Sequence, residues 1–171
     1  NITFYTQKIR SWEIDKSIFI PFKKDFFEKS ANFTKLNLDF VSSESLRFVL
    51  SLYQKQEINS LTTENQFDRI KFCKTILFDD DDDYKKALDS LQKSTEDEIL
   101  IQKIQLEKAM FFIVKASKEQ YPDYNINASV TLDSIIKINN RSNACKSALI
   151  KRQNLLSKSI TIQLQKYVYN N

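Results

Sequence analysis

Apolar residues recur every three to four positions over most of the chain, the interval that gathers them on one side of an α-helix. Over residues 1–29, Phe4, Ile9, Trp12, Ile18, Phe19, Phe22, Phe26 and Phe27 fall among charges at that spacing. This predicts an amphipathic helix interrupted or kinked at Pro21, which can neither donate a backbone hydrogen bond nor fit a helix interior. In residues 30–42, Leu36, Leu38 and Phe40 alternate with Asn37 and Asp39, and a loop or short extended piece is expected. Helical spacing returns from Ser43, with Leu46, Val49, Leu50 and Tyr53 carrying a helix to Ile58. A Thr63-x-x-Gln66 capping box then opens a helix with Phe67, Ile70, Cys73, Ile76 and Leu77 on its apolar side. That helix should stop at the acid run Asp79–Asp83, with a short helix following over 84–93.

A second capping box, Thr95-x-x-Glu98, predicts a stronger helix over 96–119. Its apolar residues, Ile99, Leu100, Ile101, Ile104, Leu106 and the run Ala109–Val114, point all round the axis, as in a central helix packed on most sides. Tyr121-Pro122-Asp123 breaks the pattern, and a last helix is expected over 131–168, bent near Asn139-Asn140. On one helical projection Ile135, Ile138, Cys145, Leu149, Leu156, Ile160, Leu164 and Tyr167 share a sector, while Lys137, Arg141, Lys151, Arg152, Lys158 and Lys166 lie opposite. The first sector is the expected core face and the second a cationic face. At 1.5 Å per residue such a helix would be about 50 Å long, so the prediction is elongated: an all-α bundle of five to six helices with a long C-terminal helix. No apolar run reaches the 18 or more residues of a membrane-spanning helix. Without an internal repeat or a linker-like stretch, residues 1–171 read as a single all-helical domain.

Composition sharpens this reading. The 171 residues contain no Gly, where ordinary usage of about 7% would give roughly a dozen. Tight primed hairpin turns recruit Gly above other residues, so a many-stranded fold is disfavoured. Phosphate loops, dinucleotide-binding turns and nucleophile elbows are excluded for the same reason. There is also no His, which removes Ser-His-Asp and Cys-His catalysis, the usual zinc sites and the Glu-x-x-His pairs of di-iron bundles. No cofactor and no metal site are expected. The bias toward Lys, Asn, Ile, Phe and Tyr suggests an AT-rich coding sequence.

Charge is uneven: residues 1–78 sum to +3, 79–123 to −5 and 124–171 to +6, giving +4 overall. Asp133 is the only acid in the last segment. A solvated helix face accounts for such a stripe, but the same stripe could meet an acidic protein surface or, with weaker support, nucleic acid or anionic lipid. Lys137, Arg141, Lys151, Arg152, Lys158 and Lys166 are therefore the candidate partner-binding residues. The five aspartates at 79–83 lack the alternating ligands, the Gly and the closing Glu of a calcium loop, and read as a hydrated helix boundary.

Cys73 and Cys145 both fall at apolar phases, which leaves two readings: buried thiols, or one disulfide joining two helices. Four glycosylation sequons begin at Asn1, Asn32, Asn127 and Asn140, of which Asn32 and Asn127 lie in predicted loops. The chain opens on Asn rather than Met, read as a fragment or a processed form. Together these features favour a secreted protein, with a cytoplasmic one as the alternative. Thirteen Phe and seven Tyr supply core, or else line a cavity for an apolar ligand. The expected function is a non-enzymatic interaction protein that binds a macromolecular partner, above all a protein, through a helical surface. The alternative is a secreted carrier of an apolar small ligand in a Phe-lined helical cavity, and a carboxylate-, Lys- or Tyr-based enzyme is third.

Overall fold

The computed structural model describes residues 2–6, 9, 14–28, 30–78, 82–119, 122–138 and 141–169, without the side chains of Thr3, Phe4, Lys118, Glu119, Pro122 and residues 158–169. Among the described residues every regular element is helical. Contacts divide the chain into two compact units, Asn1–Ser94 and Thr95–Asn171.

In the first unit, α1 (Ile2–Thr6) is followed by a 3-10 helix (Lys16–Phe22), α2 (Lys23–Phe27), α3 (Ser30–Phe33), α4 (Glu44–Asn59), α5 (Thr63–Ile76) and α6 (Asp82–Lys93). The expected five to six helices are thus too few, because the single helix expected over 1–29 is instead several short pieces. Asp15 opens the 3-10 helix by accepting from the Ser17 backbone N–H at 3.0 Å and its hydroxyl at 2.6 Å. Pro21 lies inside that helix, and an α-helix restarts only after it. The 30–42 segment is not extended throughout: α3 occupies its start, and Gln54 ties down the rest by donating to the carbonyls of Phe33 and Leu36, each at 2.8 Å.

Two expected caps shift by one and two residues. Thr62, not Thr63, caps α5 by accepting from the Asn65 N–H at 3.2 Å. Asp97, not Thr95, caps the helix after it, with Oδ1 accepting from Ile99 at 2.9 Å and Leu100 at 3.3 Å. A carboxylate there also complements the positive end of the helix, which a hydroxyl cannot do. The core of this unit is aromatic. Phe19, Phe26, Phe27, Phe33 and Phe78 are buried, and Phe26 meets Phe19, Phe33 and Phe78 at centroid separations of 5.8, 5.9 and 6.1 Å.

The second unit is a three-helix assembly of α7 (Glu98–Glu119), α8 (Pro122–Ile138) and α9 (Asn143–Tyr169). The break expected at Tyr121-Pro122-Asp123 separates α7 from α8, but the next helix starts at once, at Pro122 rather than near 131, since Pro is well suited to a first helical position whose N–H is unused; Tyr121 lies outside the described residues. The helix expected over 131–168 is accordingly two helices, α8 and α9, joined through residues 139–142. Ala109, Leu132, Ile135, Ala144 and Ala148 form its buried cluster, with Leu106, Ile136 and Leu155 packed against it. Alanine at three of these five positions lets the backbones of α7, α8 and α9 approach closely.

Candidate partner-binding face

Splitting the last helix resets its phase, and this decides which side chains are exposed. Within α9, Ala144, Cys145 and Ala148 face inward, whereas Leu149 (43% exposed) and Leu156 (47%), both expected in the core, do not. Ile138, also expected there, is 37% exposed. The expected sector assumes one continuous axis and weights large side chains, while the contact side of α9 is lined by the small Ala144 and Ala148. Ile160, Leu164 and Tyr167 lie outside the described side chains.

Of the six cations expected opposite the core, Lys137 is exposed near the end of α8, and Arg141 is exposed in the turn before α9. Lys151 and Arg152 are half-buried. Lys158 and Lys166 fall among side chains outside the description. Arg152 is not on the outer side of α9 but beside its contact with α8, where Nε donates to Asp133 Oδ1 and Nη2 to Oδ2 at 3.3 Å. The Asp133 hydrogen bond raises the guanidinium pKa further, so its charge is permanent. The one acid of the segment is thereby engaged by a cation from the neighbouring helix.

That bidentate pair places Asp133 of α8 beside Arg152 of α9. Helices joined by so short a link and packed together run antiparallel, so positions before Asp133 lie beside positions after Arg152. On α8, Ile126, Val130, Asp133 and Lys137 follow i, i+4, i+7 and i+11, a single ridge. On α9, Leu149, Arg152 and Leu156 follow i, i+3 and i+7, and form the facing ridge. Val130 is 64% and Ile126 60% exposed. Aliphatic side chains therefore flank the Asp133–Arg152 pair on both helices, with exposed Lys137, Arg141 and Lys146 around them. The sequence reading missed Ile126, Val130 and Lys146. Their signal was the helical spacing of Ile126 and Val130 once α8 is started at Pro122.

The other candidates resolve differently. Cys73 and Cys145 are free and fully buried, so of the two readings the buried thiols hold and the bridge is not formed, and each thiol packs as a small apolar group within its own unit. Burial pushes the Cys73 thiol up to about 12, with nearby Arg69 only partly opposing it, which leaves it protonated and non-nucleophilic. Asn32 and Asn127 are exposed but helical, on α3 and α8, rather than in loops, and Asn32 donates to Glu28 at 3.3 Å. Of the aspartate run, 79–81 lie outside the described residues. Asp83 near the start of α6 accepts from Lys86 at 2.9 Å and pairs with Lys23 at 3.4 Å; chiefly the Lys86 hydrogen bond, and then Lys23, hold its carboxyl below the usual range.

A second polar constellation, unforeseen from the sequence, lies inside the first unit. Arg69 of α5 is fully buried and donates through Nε to Glu57 of α4 at 2.6 Å, through Nη1 to the Phe26 carbonyl and through Nη2 to the Glu28 carbonyl at 3.0 Å. Its guanidinium lies 4.6 Å from the centroid of the Phe33 ring. Glu57 is buried too, and among the described residues its Oε2 has no partner. Arg69 thus joins α2, α3, α4 and α5 while filling no surface groove, which makes it a structural hub. Comparison of the chain with protein-family models, with curated proteins and with solved structures finds no match.

Proposed function

We propose that this is a non-enzymatic interaction protein whose working surface is the α8–α9 face. The observation that carries this reading is the pair of ridges around Asp133–Arg152, where Ile126, Val130, Leu149 and Leu156 expose aliphatic surface amid lysines and arginines. Single exposed apolar residues are ordinary, but a cluster on adjoining helices with a charged rim is the composition of a macromolecular interface. The arrangement offers geometry for docking rather than for chemistry: of the acids on α8, Asp133 is engaged by Arg152 and Asp123 sits at the exposed start of the helix, and burial keeps the Cys73 thiol protonated. The Phe side chains, packed ring against ring, favour this reading over a ligand carrier.

Replacing Val130 and Leu156 together by Ser tests the proposal. Both are exposed, so the helical circular dichroism should be retained and stability should change little. Native chain immobilised on beads should capture a macromolecule that the double variant loses. Equal capture by a correctly folded variant would remove α8–α9 as the working surface.

A further inference from the structure

The α8–α9 ridges also specify what fits them. Resting on the proposed function, we infer that the occupant is an acidic amphipathic helix of another protein, laid along the seam between α8 and α9. The shape argument comes from the ridges, because two antiparallel helices in contact leave a groove whose walls are side-chain rows, and a third helix packs into it by the same ridge-in-groove rule. From Ile126 to Lys137 the α8 ridge runs about 17 Å, or three turns of a partner helix. Apolar residues of that helix would cover Val130, Leu149 and Leu156.

The chemical argument is charge complementarity. Residues 124–171 carry +6, and their one acid, Asp133, is paired with Arg152. Lys137, Arg141 and Lys146 border the aliphatic rows on exposed positions. Carboxylates along the edges of the incoming helix would meet these cations, steering its approach and fixing its direction. Nucleic acid fits less well, since a phosphate backbone gains nothing from the aliphatic rows between the cations. An anionic membrane fits less well too: membrane-lying helices characteristically add Trp or Phe to a broad apolar face, and the exposed ridge residues are all aliphatic or charged.

The test titrates the full chain with four fluorescent probes: a synthetic acidic amphipathic helix, a peptide of the same composition scrambled to destroy the apolar stripe, a DNA duplex, and phosphatidylserine-containing vesicles. The inference expects binding of the first peptide, weakened roughly tenfold or more by Leu149→Ser with Leu156→Ser and, separately, by Lys137→Glu with Lys146→Glu. If the scrambled peptide binds equally, or only duplex or vesicles bind, and the face variants abolish that binding, the acidic-helix occupant is overturned while α8–α9 stands as a binding surface. If no probe binds, or if whatever binds ignores every face variant, both the inference and the proposed function fall.

Discussion

Arg69 shows how one residue can hold a unit together without being visible as anything but a charge. Its position follows from the apolar phase of α5: Arg69 precedes Phe72 and Cys73 by three and four residues, and Glu57 continues the Leu46, Leu50, Tyr53 series on α4. A charged residue in the apolar phase of each of two neighbouring helices was the legible sign of a buried ion pair. Its use of the Phe26 and Glu28 carbonyls was not legible, since those acceptors lie 43 and 41 residues away in the chain. Removing one partner of such a pair strands the other charge in the interior. Arg69→Ala should therefore cost about 3–5 kcal/mol, read from the denaturant midpoint, whereas an exposed substitution such as Lys137→Ala should change stability by less than about 0.5 kcal/mol. Cys73 gives a pH-dependent counterpart. Its folded-state pKa is raised to about 12 by burial, so above the ordinary thiol range the unfolded chain releases a proton that the folded chain retains. Stability should then fall as pH rises from about 9 toward 12, and Cys73→Ala should flatten that part of the curve. Under native conditions neither thiol should react with a disulfide reagent, and denaturation should release two. A single bridge found instead would contradict the packing described for both cysteines.

At the scale of elements, helical content was readable because periodicity reports the side of a helix that large apolar residues occupy. What periodicity could not report was the form of the breaks. Pro21 and Pro122 both mark interruptions of α-helix, but the first takes the form of a 3-10 helix that contains Pro21 and the second lets a new helix, α8, start on Pro122 itself. The packing side of α9 was misplaced for a related reason, since Leu149 and Leu156 outweigh Ala144 and Ala148 in any hydrophobic projection, although the alanines make the close contact. Enlarging that seam tests the assignment. Ala148→Leu should destabilise by about 1–3 kcal/mol through overpacking, while Leu149→Ala should be nearly neutral because Leu149 is largely outside the core. The reverse order would restore the phase read from sequence. Caps follow the same logic: Asp97→Ala should cost about 1 kcal/mol and Thr95→Ala less, because the Asp97 carboxylate accepts from the Ile99 and Leu100 N–H groups in the first turn of α7.

Over the whole molecule, the charge asymmetry was fully legible, since it needs only counting, but its meaning depends on where apolar residues emerge. The +6 segment would be an ordinary solvated surface if its aliphatic residues were inside. Exposed Ile126, Val130, Leu149 and Leu156 change that, and only the split of α8 from α9 reveals them. With both cysteines free, a disulfide offers no argument for an oxidising compartment. Among the described residues no helix is long and apolar enough to cross a membrane. Partner binding through this face should weaken as added salt shortens the Debye length, yet not vanish, because the aliphatic rows contribute a part that salt does not screen. The most direct measurement is amide chemical-shift mapping of the full chain with the acidic amphipathic peptide. Shifts centred on Val130, Lys137, Leu149 and Leu156, with the amides around Arg69 unmoved, are the predicted result. Shifts centred on the first unit, or no shifts at saturating peptide, would contradict it.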